Sequence, residues 1–292
     1  MKLATFSLPT SPDSRMVGVL RDGFLHRVNA PSMKALLAEG PDRLADLTGP
    51  AGSEPGYRPE EVIFHPPVPD PGKFLCVGKN YRAHLEELKR TSLIKEMPDE
   101  PTGFVKLNEC LTGHGVDVPR PKDVHRLDYE PEMVFVLGKS AYQVKPDDAL
   151  SYVAGITLLN DLTCRDTQKR EVASGTRFWT AKNAPGFGPL GPYVITMDEV
   201  SDPYNIWVTC RVNGELRMRV NTSEQIWRLA RIIEHFSRLV PLMPGDLIST
   251  GAPGGVAVGK ANAEALFLKP GDVVECAFEA PEMVLRNRIV AA

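Results

Sequence analysis

Two glutamates enter an apolar run in the stretch LDYEPEMVFVLGK, residues 127–139. Met133 to Leu137 has the composition of a buried strand that ends at Gly138, and Glu130 and Glu132 stand at its start. Side chains at i and i+2 of a strand share one face, so both carboxylates point the same way, about 7 Å apart along the strand. Like charges at a partly buried surface repel each other and lose hydration, which a divalent cation would offset.

A third carboxylate, Asp161, follows the apolar residues Ile156 to Leu159 in the stretch TLLNDLTCRDTQ. If the strand before Asp161 neighbours that of the two glutamates, the three side chains form an all-oxygen site. Such ligands favour Mg²⁺, Mn²⁺ or Ca²⁺ over zinc. The alternative interpretation of the spacing is a solvated strand end, and the nearby Asp128 is a further carboxylate that no pattern supports as a ligand.

The composition is that of an ordinary globular protein. The chain has 292 residues, of which 42% are hydrophobic and 24% charged, with a formal net charge of −3. This balance argues against a nucleic-acid partner, which needs clustered Lys and Arg. No apolar run approaches membrane-span length and the first residues lack the apolar core of a signal peptide, so we expect no membrane partner and a cytoplasmic location.

The elements that must position the carboxylates are mainly strands. Residues 1–68 are predicted to form a small N-terminal α+β domain with a hairpin turn at Asp22-Gly23, and residues 69–292 a second, larger domain. In the larger part, many strands and few helices without βα alternation indicate a mixed, β-rich α+β architecture and not a doubly wound sheet. We expect one helix near Asn80 and another capped by Ser223 and ended by Pro241.

Seven motifs, in order along the chain from about Lys73 to Val290, resemble the fumarylacetoacetate hydrolase (FAH) family, in particular its acylpyruvase and hydroxymuconate isomerase-like branch. They are CVGKNYRAHLEE, PDEPTGFVK, YEPEMVFVLGK, NDLTCRDTQ, WTAKNAPGFGPLGP, LMPGDLISTGAPGGV and LKPGDVVE. The resemblance implies an FAH-type β-roll or mixed β-sandwich, a homodimer, and a bound Mg²⁺ (or Mn²⁺, with Ca²⁺ as a third option). It also implies a small 2-oxo or 2,4-dioxo acid as substrate.

Carried over by position, the resemblance makes Glu130, Glu132 and Asp161 the metal ligands and Lys182 the catalytic lysine beside them. It also matches His84 to a catalytic histidine and Glu87 to its carboxylate partner. Residues at i and i+3 of a helix lie on one face, which lets a carboxylate orient an imidazole.

The resemblance also implies four substrate-binding residues. Arg165 and Gln168 would line the pocket, although alone they would pass for surface residues. Thr250 and Gly251 would form the turn that meets the substrate carboxylate, although a plain tight turn explains them as well. Lys106 resembles a lysine near the pocket, and a solvated lysine is the alternative.

The function that the resemblance implies is metal-dependent hydrolysis of a C–C bond in acylpyruvates such as fumarylpyruvate or acetylpyruvate, releasing pyruvate, as in aromatic catabolism. His84, oriented by Glu87, would take a proton from water, and Lys182 would stabilise the enolate. The alternatives are an oxaloacetate decarboxylase and a 5-carboxymethyl-2-hydroxymuconate-type isomerase or decarboxylase. A non-catalytic, metal-stabilised binding protein is the remote alternative, and it would need no organised base.

Overall fold

The computed structural model describes residues 1–47, 56–90, 98–175 and 180–292, and the side chains of residues 88–90 are left out of the description. Within these ranges strands predominate. The strands are β1 (Lys2–Leu8), β2 (Ser11–Arg21), β3 (Phe24–Val28), β4 (Ile63–Phe64), β5 (Phe74–Gly78), β6 (Thr102–Val105), β7 (Leu111–Thr112), β8 (Val118–Arg120), β9 (Leu127–Asp128), β10 (Pro131–Leu137), β11 (Val153–Asn160), β12 (Thr163–Cys164), β13 (Gly188–Pro189), β14 (Val194–Thr196), β15 (Trp207–Val212), β16 (Glu215–Asn221), β17 (Leu247–Ser249), β18 (Val273–Phe278) and β19 (Met283–Ala291). The helices are α1 (Met33–Ala38), α2 (Pro41–Asp46), α3 (Arg82–Arg90), α4 (Arg165–Ala173), α5 (Leu229–Ser237) and α6 (Ala263–Leu266).

Two large sheets form the frame. The first has the strand order β3-β2-β1-β14-β11-β10-β17-β5-β6, with β4 beside β1, and the second has the order β16-β15-β18-β19-β8. Most neighbours are antiparallel, whereas β17–β5 and β19–β8 are parallel. The sheets pack face to face where β10 meets β15 and β11 meets β18. The mixed, β-rich architecture predicted from the sequence is therefore confirmed.

The core between the sheets follows the alternation of the strands. Met133 and Phe135 of β10 and Ile156 of β11 lie in one cluster with Val208 and Cys210 of β15. On the opposite face of β10, Val134 and Val136 lie in a second cluster with residues of β1, β2 and α1. Strand β10 is thus covered on both faces, which explains its continuous apolar sequence.

The N-terminal segment has the predicted elements. The hairpin β2–β3 turns at Asp22 and Gly23, whose φ angles of 49° and 81° suit a tight two-residue turn. Strand β1 pairs with β14, so the large sheet runs across the segment and the rest of the chain. The division into two domains at residue 68 stays a prediction.

The expected helix after Ser223 is shorter than predicted. Asn221, not Ser223, caps a single 3₁₀ turn, and α5 begins only at Leu229. The reason lies in Asn80, whose carbonyl oxygen accepts from the Ile226 N–H at 2.7 Å and whose Oδ1 accepts from the Trp227 N–H at 2.6 Å. In a helix capped by Ser223, the Trp227 N–H would donate to the Ser223 carbonyl oxygen, and Asn80 takes this donor instead.

None of the helices within the described ranges combines the length and apolar character that crossing a bilayer requires.

Candidate active site

The antiparallel pairing of β10 with β11 brings the three predicted metal ligands together. Pro131 lies opposite Asn160, and the Asp161 N–H donates to the Glu130 carbonyl oxygen at 2.8 Å. Oxygen atoms of Glu130, Glu132 and Asp161 lie within 4.8 Å of one another. The three residues are at most 3% exposed, so a solvated strand end is the wrong interpretation.

Two buried lysines compensate part of this negative charge. Lys182 Nζ lies 2.5 Å from Glu130 Oε2 and 2.7 Å from Asp161 Oδ2, and it donates to Thr163 Oγ1 at 2.6 Å. Lys106 Nζ lies 2.7 Å from Asp161 Oδ1 and is 2% exposed as a residue. The solvated alternative for Lys106 is therefore wrong, and both ammonium groups belong to the carboxylate cluster.

The two glutamates differ in their electrostatic surroundings. Burial alone would raise the pKa of Glu130, but the charges of Lys182 and Arg165 outweigh it and lower that pKa to about 2. For Glu132, burial and the neighbouring carboxylates of Asp161 and Glu130 all raise the pKa well above its ordinary value. Its Oε2 accepts a hydrogen bond from Ser249 Oγ. Additional positive charge at this point would favour the ionised form of Glu132.

These residues fit a divalent metal ion. The donor set is entirely carboxylate oxygen, which suits Mg²⁺ or Mn²⁺. Lys182 already places a cationic group between Glu130 and Asp161, which shows that the cluster accommodates positive charge. The raised pKa of Glu132 indicates that the positive charge of the two lysines does not fully compensate the negative charge of the three carboxylates.

Arg165 and Gln168 lie in the first turns of α4 and are both buried. Arg165 Nη1 donates to Gln168 Oε1 at 3.0 Å, and Arg165 Nη2 lies 2.5 Å from Glu130 Oε1. The structure thus connects Arg165 directly to a candidate metal ligand. Contact of either side chain with a substrate stays a prediction.

His84 and Glu87 lie on one face of α3, as the i, i+3 spacing predicts. His84 is 5% exposed and Glu87 is 8% exposed, and His84 Nδ1 lies 3.2 Å from Glu87 Oε2. A carboxylate only accepts, so Nδ1 carries the proton of this bond and Nε2 is the basic nitrogen of the neutral ring. Glu87 thus orients the His84 ring with its basic nitrogen free of this bond, and the catalytic role of the pair stays a prediction.

Thr250 and Gly251 follow strand β17 and lie close to α3. Thr250 Oγ1 donates to the Met133 carbonyl oxygen at 3.0 Å, which holds the turn against β10. Gly251 has a φ of 91°, and a Cβ there would lie 2.5 Å from the Val77 carbonyl oxygen. Both the backbone conformation and the space available oppose a side chain at this position.

Two buried residues of this region were not assigned to the site from the sequence: Asp128 and Ser249. Asp128 Oδ2 accepts from Arg165 Nε at 2.8 Å. A signal existed for Asp128, since it is an acidic residue beside the glutamate pair, but its partner lies 37 residues away. For Ser249, the sequence has no pattern that points to Glu132 across 117 residues.

Comparison with known proteins supports the family that the sequence motifs predict. The family described as "Fumarylacetoacetate (FAA) hydrolase C-terminal" matches residues 73–290. The chain is 36% identical over 230 residues to the mitochondrial oxaloacetate tautomerase FAHD2B of Bos taurus, covering 79% of this chain and 70% of that protein. It is 37% identical over 235 residues to the oxaloacetate tautomerase YisK of Bacillus subtilis (strain 168), with 80% and 75% covered.

Two solved structures extend the likeness to the full length. The fumarylacetoacetate hydrolase EaFAH of Exiguobacterium antarcticum superposes with a TM-score of 0.82 at 30% identity, and 100% of both chains is covered. A 5-carboxymethyl-2-hydroxymuconate delta-isomerase of Mycobacterium smegmatis gives 0.77 at 26% identity, again over 100% of both chains. The fold is therefore the predicted FAH-type mixed β fold, and this chain belongs to the fumarylacetoacetate hydrolase family of divalent-metal-dependent enzymes.

Proposed function

We propose that this protein interconverts the enol and keto forms of a short 2-oxo dicarboxylic acid, with oxaloacetate as the substrate. The observation that carries the proposal is a buried carboxylate triad in contact with Lys182, together with an oriented imidazole, His84, that is close enough for its charge to act on Glu130. Both relatives quoted above are named oxaloacetate tautomerases, which favours this reaction over the hydrolysis expected from the sequence.

The parts of the site match the needs of an enolisation. When held by Glu130, Glu132 and Asp161, a divalent cation supplies Lewis-acid stabilisation of negative charge on the substrate oxygens. Lys182 adds a fixed positive charge at the same place, and its burial strengthens that field because little water screens it.

His84 is the group that we assign to proton transfer. In ketonisation the C2 hydroxyl of the enol loses a proton and C3 gains one, so an acid and a base must act close together. Nε2 of His84 would first accept the proton of the C2 hydroxyl and then deliver it to C3, while Glu87 accepts from Nδ1 and stabilises the charged ring in between. Arg165 would hold a carboxylate of the substrate, which keeps C3 beside the imidazole.

The test follows the absorbance of enol-oxaloacetate in Mg²⁺ buffer, with released CO₂ measured in the same sample. We expect rapid loss of the enol without CO₂, and a loss of at least about 100-fold in rate for His84→Gln. His125→Gln is the matched control because His125 is exposed on the surface. Enol decay at the buffer rate with the unaltered protein would refute the proposal, and stoichiometric CO₂ would assign decarboxylation instead.

Hydrolysis of acylpyruvates is the second candidate. The observation in its favour is the complete His84–Glu87 pair, which is also the arrangement that activates water. The likeness to EaFAH, which is named a hydrolase, supports it as well. Release of pyruvate from acetylpyruvate, together with no effect on enol-oxaloacetate, would select this reaction. The homodimer and the cytoplasmic location stay predictions.

A further inference from the structure

We infer that Asp128 is a positioning residue that couples Arg165 to the His84–Glu87 pair through the loop of residues 254–259. The parts of its test that measure kcat and KM rest on the proposed function, whereas the NMR measurement does not. The contacts that carry it are all between described residues, and no step of the proposed reaction requires Asp128 to touch substrate.

Asp128 is a fully buried carboxylate with three donors around its two oxygens. Its Oδ2 accepts from Arg165 Nε at 2.8 Å and from the Val258 N–H at 3.0 Å. Its Oδ1 accepts from the Ala257 N–H at 2.8 Å. The residue itself is fixed in the short β9–β12 ladder, where it lies opposite Thr163. Asp128 is therefore a rigid point to which a side chain and a loop are both attached.

The first attachment fixes the guanidinium group of Arg165. Asp128 holds Nε, Gln168 holds Nη1, and Glu130 lies 2.5 Å from Nη2. Two hydrogen bonds, from Nε and Nη1, and one ion pair, at Nη2, together fix the orientation of the guanidinium plane. Removal of the Asp128 contact frees the Nε side of the group, which changes how Arg165 faces both the metal ligand and a substrate carboxylate.

The second attachment reaches the catalytic pair through a very short piece of chain. Gly255 N–H, two residues before Ala257, donates to Glu87 Oε1 at 2.7 Å. Gly259, one residue after Val258, packs so closely on Glu87 that a Cβ there would lie 2.5 Å from Cδ. Glu87 thus contacts the loop at Gly255 and at Gly259, on either side of the two residues that donate to Asp128.

Glu87 in turn orients His84 through its other oxygen, at 3.2 Å from Nδ1. A displacement of the loop therefore moves the carboxylate that sets the imidazole. An amide at position 128 would place an NH₂ group against one of three donors, which repels Arg165 or the loop. Position 128 therefore requires a carboxylate, because both of its oxygens must accept hydrogen bonds.

The experiment reads the His84 ring directly, by NMR of the full-length protein with ¹⁵N-labelled histidine in Mg²⁺ buffer. His84→Gln identifies the His84 signal by its loss. We expect Asp128→Asn to shift or broaden that signal, to raise KM and to lower kcat. Asp246→Asn is the matched control, since Asp246 is also buried and accepts from the Lys73 and Met243 N–H groups at 2.8 and 2.7 Å.

Ala257→Pro separates the two attachments. Proline lacks the N–H that donates to Asp128, and position 257 begins a 3₁₀ turn, where proline is accommodated. The Arg165 contact is left in place, so we expect an altered His84 signal and a lower kcat with KM unchanged. This variant also tests the loop if Asp128→Asn does not fold.

Coupling is measured by combining Asp128→Asn with Glu87→Gln. If Asp128 acts through Glu87, the second substitution lowers kcat about 10-fold less in the double variant than in the unaltered protein. A His84 signal identical to that of the unaltered protein in Asp128→Asn or in Ala257→Pro would overturn the inference, as would effects on kcat that multiply. Absence of turnover in the unaltered protein would instead refute the proposed function and leave the NMR result valid.

Discussion

At the scale of single residues, the site is a balance of buried charge. Four carboxylates and three cationic groups lie within it, each residue at most 4% exposed: Asp128, Glu130, Glu132 and Asp161, and Lys106, Lys182 and Arg165. Burying such groups is costly unless each charge is paired. Glu130 and Asp161 contact lysine, whereas Glu132 is held by the Ser249 hydroxyl. Of the three candidate ligands, Glu132 is therefore the one that has no cationic side chain in contact with it within the described residues, and we expect it to depend most on a metal ion.

Lys182→Met separates catalysis from metal binding. The substitution removes the ammonium group between Glu130 and Asp161, so we expect a loss in kcat of at least about 100-fold while Mg²⁺ binding is retained or strengthened. Turnover and calorimetric titration with Mg²⁺ measure the two effects. Lys139→Met, at an exposed position, is the control. Unchanged turnover in Lys182→Met would disprove the role of this lysine.

Glu130→Ala tests the ligand set itself. Loss of one of three carboxylates should weaken Mg²⁺ binding by more than about 10-fold, because few ligands remain to replace water. Calorimetry with Mg²⁺ gives the affinity. The control is Glu109→Ala, which removes an exposed glutamate outside the cluster. Equal affinities for the two variants would show that the metal binds elsewhere.

At the scale of elements, the turn after β17 depends on Gly251. We expect Gly251→Ala to lower the free energy of unfolding by roughly 2 kcal/mol or more, because the φ of 91° and the approach to the Val77 carbonyl both oppose a Cβ. Gly271→Ala is a matched control, since its φ is 99° but no atom lies within 4 Å of the added Cβ. Urea unfolding should show the larger loss for Gly251, and equal losses would mean that the contact with Val77 is unimportant.

The junction between α3 and the same turn should make stability sensitive to alkaline pH. Burial raises the pKa of Tyr81 to about 12, with Thr250 and Gln225 as its hydrogen-bond partners. A pKa raised above the unfolded value of about 10 contributes stability below pH 10, which is lost as pH rises toward 12. The difference in unfolding free energy between the unaltered protein and Tyr81→Phe should shrink by on the order of 2 kcal/mol across that range.

Urea unfolding at several pH values between 9 and 12 measures this effect of Tyr81. Tyr142→Phe is the control because Tyr142 is 56% exposed. A pH-independent difference between the unaltered protein and Tyr81→Phe would contradict the assignment.

At the scale of the whole molecule, the site joins segments that lie far apart in the chain. The carboxylates come from the ends of β10 and β11, Lys106 follows β6, and Lys182 lies between α4 and β13. A metal ion bound here favours the folded chain over the unfolded one, in which these ligands are dispersed.

Metal removal should therefore lower thermal stability. With Mg²⁺ at about 100 times its Kd, we expect a gain of about 2.7 kcal/mol over the chelated protein, or roughly 5 °C in Tm. Scanning calorimetry with and without chelator measures the shift, and Glu130→Ala should abolish it. A Tm that does not respond to Mg²⁺ in the unaltered protein would contradict binding to the native state at this site.

The amino-acid sequence by itself determined the local features. The Asp22-Gly23 turn and the continuous apolar run of β10 were both predictable, because they depend on residues close together in the chain. The shared face of Glu130 and Glu132 and the i, i+3 pair His84–Glu87 have the same origin. The motifs in order then indicated the family.

The tertiary structure decided what these local features face. Asp161 joins the glutamates only because β11 pairs with β10. Lys106 can be buried because its ammonium group contacts Asp161 at 2.7 Å and donates to the Lys182 carbonyl oxygen at 2.5 Å, across 55 and 76 residues. Asn80 shortens the helix expected after Ser223 by binding Ile226 and Trp227. Asp128 contacts Arg165 and the backbone at Ala257, and no sequence periodicity predicts that either of them lies beside it. These contacts depend on strands and buried charges that pair across long distances in the chain. Such pairing leaves no pattern among neighbouring residues, so the sequence alone does not reveal it.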